Sequence, residues 1–159
     1  MSLPPFQHLV DAHWRDVARL AHALAGPVDG DDVAQQAWTQ ALAAYPRLRD
    51  GRNLRGWLLT VTARCATDVH RGRVRRAVPV ADLRDGAAGS APSAADAAHL
   101  PDGDLWARVR DLPERQRTAL ALRYVADLDH AAVARALGTT PAATRRLVSD
   151  ALATLRSQP

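Results

Sequence analysis

The apolar positions of this chain recur at helical spacing, and no segment shows the sustained alternation typical of a strand. In the N-terminal part, one stripe covers residues 9–25, a second covers 30–45 and a third begins after Asn53. The first stripe contains Val10, Trp14, Val17, Ala21 and Leu24. The second contains Val33, Ala37, Ala41 and Leu42, and the third contains Leu54, Trp57, Leu58, Val61, Cys65 and Val69. Each stripe predicts a helix with one buried side.

Helix-ending and helix-capping residues separate these stripes. Gly26 and Pro27 are expected to end the first helix, because both residue types interrupt helical structure. Asp29 and Asn53 have short polar side chains that can cap the first turns of the next two helices. Three helices are therefore predicted within residues 1–76.

The C-terminal part is expected to end in a helix-turn-helix. Its apolar residues are Leu105, Val109, Leu112, Leu120, Tyr124 and Val125, with a break at Pro113, and then Ala131, Val133, Ala134 and Leu137. Gly138 should end the penultimate helix in a left-handed conformation, and Thr140 and Pro141 should begin the last one. An ordinary helical hairpin is the alternative for this segment alone.

The last predicted helix has two different faces. Apolar and small residues recur along one side, namely Thr144, Leu147, Val148, Ala151 and Leu155. The opposite side carries Ala142, Arg145, Arg146 and Ser149, which are free to meet a DNA groove.

Charge divides the chain into three parts. Residues 1–76 carry eleven arginines and seven acidic residues, a net charge of +4. Residues 104–159 carry nine arginines and six acidic residues, a net charge of +3. Residues 77–103 carry one arginine and four aspartates, a net −3, and are rich in Ala, Gly, Pro and Ser. Such a composition predicts a flexible linker. The expected fold class is all-α, with a small helical domain on each side of this linker.

Enzyme chemistry finds little support in the sequence. The six histidines lack the spacing to cysteines or carboxylates that a zinc site needs, and there is no P-loop, G-x-S-x-G or glycine-rich dinucleotide turn. We therefore expect no catalysis, metal, cofactor or small-molecule substrate. The single cysteine, Cys65, is expected to be a buried thiol and fits a cytoplasmic location. No apolar run is long enough to suggest membrane insertion.

The predicted third helix combines an aromatic residue with many basic ones. Its start carries Arg55 and Trp57, and its later part carries Arg64, His70, Arg71, Arg73, Arg75 and Arg76. Arginines beside an aromatic residue suit single-stranded DNA, because bases stack on the ring and phosphates are neutralised. In the alternative interpretation, Trp57 belongs to the core and the arginines are merely solvated.

These motifs, in this order, resemble the extracytoplasmic-function (group 4) sigma factors of bacterial RNA polymerase. Residues 29–36 read Asp-Gly-Asp-Asp-Val-Ala-Gln-Gln, similar to the family's Asp-x-x-Asp-Leu-Val-Gln-Glu motif. Residues 53–58 read Asn-Leu-Arg-Gly-Trp-Leu, similar to its Ser-Phe-Arg-x-Trp-Leu motif. Residues 112–117 read Leu-Pro-Glu-Arg-Gln-Arg and match its Leu-Pro-x-x-Gln-Arg signature. Leu-Arg-Tyr at 122–124 follows in family order.

The resemblance implies an alternative sigma factor, a non-catalytic subunit that gives core RNA polymerase its promoter specificity. Residues 1–76 would dock on the clamp helices and melt the −10 element, and residues 104–159 would read the −35 element. The acidic linker would pass toward the RNA exit path. The polymerase flap, promoter DNA and an anti-sigma factor are the further implied partners.

The resemblance also assigns roles to residues. Polymerase docking would use Asp29, Asp32, Gln35 and Gln36. Contacts with −10 DNA would use Arg49, Asn53, Arg55, Trp57, Arg64, His70, Arg71, Arg73, Arg75 and Arg76. Contacts with −35 DNA would use Thr140, Arg145, Arg146 and Ser149.

This chain departs from the family pattern at some of these positions. Gln36 stands where the family usually has Glu, Arg64 where Asn is common, and Asp150 at a position that is often basic. Two other functions stay open from the sequence. A free-standing helix-turn-helix regulator would bind duplex DNA without polymerase, and a sigma-like interaction protein would bind core or an anti-sigma factor without reading promoters.

Overall fold

The computed structural model describes residues 2–76 and 103–159, and all its regular elements in these ranges are helical. The helices are α1 (Phe6–Ala44), α2 (Leu54–Arg76), α3 (Gly103–Arg110), α4 (Glu114–Tyr124), α5 (His130–Leu137) and α6 (Pro141–Ser157), with a 3-10 turn at Tyr45–Arg47 after α1. The all-α prediction is confirmed. The predicted linker lies outside the described residues except for Gly103, which begins α3.

Helix α1 is two helices joined at a sharp kink. Gly26 has φ +83° and ψ 177°, values that no helix contains and that glycine tolerates best. The predicted break is therefore confirmed at Gly26. The predicted cap at Asp29 is wrong, because the helix resumes directly at Pro27. Proline suits a first helical turn, since its φ is already close to helical and its missing N–H is not needed there.

The N-terminal domain has its core between α1 and α2. The largest fully buried side chains of this domain are Val17, Leu20, Val33, Leu58, Leu59, Thr62 and Cys65. Two predicted core residues are exposed, Trp14 by 39% and Leu42 by 55%. The helices that pack against α1 leave both side chains open to solvent. Trp14 instead packs under the guanidinium of Arg15, 5.3 Å from the ring centroid.

The C-terminal domain packs α4 and α5 against α6. Pro113 separates α3 from α4 as predicted, and it stands directly before the first turn of α4. Arg117 is 95% buried, and its Nη1 donates to the carbonyl of Arg110 at 2.9 Å. Burial lowers the pKa of this guanidinium. The bond ties α4 to the end of α3 and fixes the Leu-Pro turn between them.

The two domains also pack against each other, which the sequence did not predict. Helix α1 contacts α3 and α4, and α2 contacts α4 and α5. As a result, buried residues of both domains form one continuous apolar cluster. None of the helices in the described ranges is long and apolar enough to cross a membrane.

Candidate polymerase and nucleic-acid interface

The second half of α1 presents a polar row to solvent. Asp32, Gln35 and Gln36 are all exposed, and their spacing of three and four residues places them on one face of the helix. The opposite face buries Val33 and Ala37 against α2. The helix therefore offers carboxylate and amide groups on a rigid support.

Asp29, the fourth residue predicted for polymerase docking, has a different environment. Its side chain is 15% exposed, and its Oδ1 accepts a bond from Nη2 of Arg73 at 2.6 Å. Two residues predicted to bind different partners, polymerase and DNA, are thus paired with each other in this conformation.

The loop before α2 is shaped by two local side-chain interactions. Asn53 Oδ1 accepts the backbone N–H of Gly56 at 2.9 Å, which confirms its predicted capping role. Asp50 accepts three bonds from Arg52, one of them from its backbone N–H. The Arg52 side chain holds the pKa of the Asp50 carboxyl below its usual value. Arg49 lies exposed in the same loop.

The start of α2 is anchored to the core by an aromatic ring and an ion pair. Trp57 is half-buried, with its ring centroid 6.2 Å from that of Tyr45. The Nε of Arg55 donates to Oδ2 of Asp16 at 3.0 Å across to α1. Part of the Trp57 ring therefore packs in the core, as expected from the interpretation in which Trp57 is a core residue. The rest of the ring borders a cleft.

The remaining predicted −10 residues follow along α2. Arg64 and His70 are exposed, and the pKa of His70 is lowered by partial burial and by the charge of Arg117. Arg71 is bonded to Glu114 of α4. Arg75 and Arg76 are exposed at the end of the helix, and Arg76 Nε donates to the Gly72 carbonyl at 3.2 Å.

One face of α2 gathers several of these groups. Asn53, Trp57 and Arg64 line one cavity of about 330 Å³, and Arg64 and Arg71 line a neighbouring cavity of about 260 Å³. An aromatic ring, an amide and two guanidiniums thus border one side of α2 and the residue before it. This set can stack on a base and neutralise phosphates.

The helix-turn-helix forms as the sequence predicted. Gly138 ends α5 with φ +65°, and Thr140 caps α6 by accepting from the Ala143 N–H at 3.1 Å. Asp129 caps α5 through the Ala132 N–H at 2.7 Å, a role that its position before the helix could have indicated. These caps fix the turn that orients α6.

Helix α6 buries one side and exposes the other. Thr144, Val148, Ala151 and Leu155 are buried. All four predicted −35 residues are exposed, namely Thr140, Arg145, Arg146 and Ser149. Asp150 is exposed beside them, so the surface that could enter a major groove carries both signs of charge.

An apolar groove between α3, α4 and α6 was missed by the sequence analysis. It has a volume of about 640 Å³, and its apolar lining is Leu105, Trp106, Val109, Leu120, Tyr124, Leu152 and Leu155. Leu105 and Tyr124 are exposed, by 39% and 56%. Helical spacing assigned Leu105, Val109, Leu120, Tyr124 and Leu155 to the core. Only the excess of apolar residues over what one small domain can bury could have indicated a surface groove.

Comparisons with known proteins agree with this architecture. The family model for Sigma-70 region 2 matches residues 9–76, and the model for Sigma-70 region 4 matches residues 102–155. The chain is 32% identical to the ECF RNA polymerase sigma factor SigD of Mycobacterium tuberculosis over 153 residues, which covers 89% of this chain and 71% of that protein. It is 28% identical to the ECF RNA polymerase sigma factor SigC of the same species, covering 89% and 76%.

Two solved structures share the fold. The sigma factor RpoE of Bartonella quintana, solved with the anti-sigma factor NepR, has a TM-score of 0.73 at 19% identity and covers 95% of this chain and 94% of its own. CnrH, solved with the cytosolic domain of CnrY, has a TM-score of 0.67 at 20% identity and covers 96% and 85%. With both sigma-70 regions matched in order, the chain belongs to the sigma-70 family and is an alternative sigma factor of the extracytoplasmic-function (ECF) group, which directs promoter recognition.

Proposed function

We propose that the two domains of this sigma factor divide promoter recognition between named surfaces. The domain of residues 1–76 docks on the polymerase clamp helices and holds the melted −10 strand, and the domain of residues 104–159 reads the −35 duplex. The main support for this proposal is one observation. Along one face of α2, two neighbouring cavities are lined by Asn53, Trp57, Arg64 and Arg71.

Docking on the clamp helices uses Asp32, Gln35 and Gln36. Their exposure on one face of α1 supports this role, since a flat partner can reach all three together. Gln36 donates and accepts hydrogen bonds but carries no charge, so the contact relies less on ion pairing than a carboxylate would. Asp29 contributes by holding Arg73 and the end of α2 in place.

The −10 strand runs along α2 from the loop that carries Arg49 to the basic end of the helix. A flipped base lies beside Asn53 and Arg64, and the open part of the Trp57 ring is available for stacking. Arg71, Arg73, Arg75 and Arg76 neutralise phosphates, with His70 as a neighbouring donor. Arg55 supports this surface from its bond to Asp16.

The −35 duplex is read by the exposed face of α6. Arg145 and Arg146 supply forked donors for phosphates or guanine edges, and Thr140 and Ser149 supply hydroxyls. Asp150 repels phosphate, so the contact is weak on its own. Polymerase compensates by tethering the domain and raising its effective concentration at the promoter.

The apolar groove of the C-terminal domain receives the polymerase flap. Its position supports this assignment, because its α6 residues, Leu152 and Leu155, lie beyond the exposed −35 residues in the later part of the helix. The domain can therefore hold polymerase and duplex at the same time. An apolar helix face packed into this groove would bury the side chains of Leu105 and Tyr124, which are exposed in the free chain.

The chain acts in the cytoplasm as a binding subunit without catalysis of its own. An anti-sigma factor is its further partner. The complexes of RpoE with NepR and of CnrH with CnrY support this point, since both involve proteins of the same fold.

Transcription by reconstituted holoenzyme tests the proposed function. Purified chain and core polymerase are incubated with a genomic library, and the 5′ ends of the transcripts are mapped. We expect discrete starts with a shared upstream sequence. Core binding without any promoter-directed transcript would support an interaction protein, and tight duplex binding without polymerase would support a free regulator.

A further inference from the structure

Residues 2–5, which precede α1 and have no regular secondary structure, form an arm that packs on the N-terminal domain. Pro5 has φ −54° and ψ 138°, which is extended backbone. Leu3 and Pro4 each precede a proline, and a residue in that position is also restricted to extended conformations. The arm therefore loses little conformational freedom when it packs. The match to Sigma-70 region 2 begins at residue 9, so the arm lies outside the matched part.

Two contacts fasten the arm beside the loop of residues 48–53. The buried Tyr45, at the end of α1, donates from its Oη to the Pro4 carbonyl at 2.6 Å. The Leu3 side chain lies against the backbone of Gly51, because a Cβ added to Gly51 would stand 2.7 Å from Leu3 Cδ2. One contact thus lies just before the loop, and the other lies in its middle.

The loop of residues 48–53 has few anchors of its own. Four of its six residues are exposed, and its one large apolar side chain, Leu48, packs against the core. The Asn53 cap reaches only the first turn of α2. Gly51 has no side chain, so Leu3 supplies the apolar contact that the middle of the loop lacks.

This loop borders the proposed site of the flipped −10 base. Leu48 of the loop lines the same cavity as Asn53, Trp57 and Arg64. Tyr45 connects this cavity to the arm, because its ring centroid lies 6.2 Å from that of Trp57 while its hydroxyl holds Pro4. A displacement of the arm would therefore reach both the loop and the Trp57 ring.

We propose that the arm positions the loop for the base that flips out of the −10 strand, with Leu3 and Tyr45 as positioning residues that act through the loop. This inference rests on the proposed function of the α2 face. A loop that is already held in its binding conformation loses less conformational entropy when the base arrives. It also presents its polar groups at fixed distances, so it distinguishes one base from another more sharply.

The first test measures base preference in holoenzyme. A promoter found by the transcription experiment is randomised in its −10 and −35 elements, and each version carries a transcribed barcode that is counted. Leu3→Ala and deletion of residues 2–5 should each lower the preference for the favoured −10 base at least about threefold and leave −35 preferences unchanged. Val10→Ala, at another half-buried apolar position, should change neither.

Base preference separates positioning from stability. A variant that is merely less stable gives fewer active holoenzymes and lowers all transcripts by the same factor, so its preferences stay the same. Unchanged −10 preferences in both Leu3→Ala and the deletion overturn the proposal, whatever the total activity.

The second test removes only the hydrogen bond of the arm. Tyr45→Phe keeps the ring and loses the donor to Pro4, and we expect it to weaken the same −10 preference about twofold or more. Ser157→Ala is the matched control, because it removes a hydroxyl that donates to a backbone carbonyl at 2.8 Å at the end of α6. A −10 profile of Tyr45→Phe equal to that of Ser157→Ala overturns the role of Tyr45.

The third test asks whether Leu3 acts through Gly51. In the described ranges, Leu3 Cδ2 is the one atom beyond the chain neighbours of Gly51 within 4 Å of the added Cβ, so Gly51→Ala displaces Leu3 specifically. Gly51→Ala should lower the −10 preference in the unaltered chain and change it less in a Leu3→Ala background, where the space is open. Equal effects in the two backgrounds, including none, overturn the proposed contact.

These outcomes are separable from failure of the proposed function. If holoenzyme initiates at discrete promoters with the same −10 preferences in all arm variants, the arm is only structural and the proposed function stands. If no promoter-directed transcript forms with the unaltered chain, the proposed function fails, and the inference about the arm fails with it.

Discussion

Nη2 of Arg73 lies 2.6 Å from Oδ1 of Asp29, which ties the end of α2 to the part of α1 just beyond the Gly26 kink. Arg73 is 59% exposed, so solvent screens the ion pair on the Arg73 side. The Asp29 carboxylate is already satisfied within the domain, and a docking partner would have to displace Arg73 to use it.

We expect Asp29→Asn to lower the free energy of unfolding by about 0.5–1 kcal/mol, because one charge of a partly exposed pair is lost. For a chain of this size that corresponds to a drop in Tm of about 1–4 °C. Arg73→Gln should cost a similar amount, and the double variant should be less than additive. Lost core binding at unchanged Tm would instead mean that Asp29 contacts polymerase directly.

Gly138 adopts the left-handed backbone conformation that the turn of the helix-turn-helix requires. Its φ of +65° is costly for any residue with a Cβ, although nothing lies within 4 Å of where that atom would be. We expect Gly138→Ala to destabilise the chain by about 1 kcal/mol, measured by urea unfolding. Gly103→Ala is the matched control, because its Cβ also meets nothing and its φ is not positive. Equal effects of the two changes would contradict this explanation.

Charge reversal on α6 should separate promoter reading from polymerase binding. The double variant Arg145→Glu, Arg146→Glu is expected to abolish −35 dependence in transcription and to lower the salt slope of DNA binding by about 1 per lost phosphate contact. Core binding should not change. Arg15→Glu on α1 serves as the charge control, and loss of core binding in the double variant would mean that the two domains have been assigned the wrong roles.

The apolar groove gives a complementary prediction. Leu105→Glu and Tyr124→Asp place a charge on its rim, and because both side chains are exposed the fold should tolerate them. We expect at least about tenfold weaker binding to core polymerase, since a charge must be desolvated when an apolar partner packs there. Duplex binding by the free chain should be unaffected. Unchanged core affinity would show that the flap does not use this groove.

Cys65 should resist thiol reagents in the folded chain. Burial, with a smaller contribution from the Asp68 charge, raises the pKa of its thiol from near 9 to about 11. This leaves about a hundredfold less thiolate at neutral pH. Because the folded-state pKa is raised, the stability linked to the protonated thiol is complete below about pH 9 and is lost as pH rises toward 11. Ellman's reagent should react slowly in buffer and fully in urea, and fast stoichiometric reaction of the folded chain at pH 7–8 would contradict this account.

Local signals located most of the helices in the described ranges. The Gly26 kink, the Asn53 cap, the Pro113 break and the Gly138 and Thr140 boundary all depend on residues within a few positions of one another, and each was predicted correctly. The errors came from elsewhere. Asp29 was assigned as a cap because its residue type suits one, while its actual partner, Arg73, is 44 positions away.

Periodicity was less successful at choosing which apolar residues are buried. It placed Trp14, Leu42, Leu105 and Tyr124 with the core, and all four are exposed. A repeat of apolar residues fixes the direction of a helix face, but the width of the buried stripe depends on how many neighbours cover it. That information lies in the packing of other helices.

The sequence by itself determined the helices, their caps and the residue types offered to polymerase and DNA, because these depend on side-chain chemistry and short spacing. Only the tertiary structure decided which of those groups meet each other. Arg71 and Arg73 have the same side chain two residues apart, yet one is bound by α4 and the other by α1. Helical rotation and the docking of the C-terminal domain set that difference, and long-range contacts of this kind leave no local pattern in the sequence.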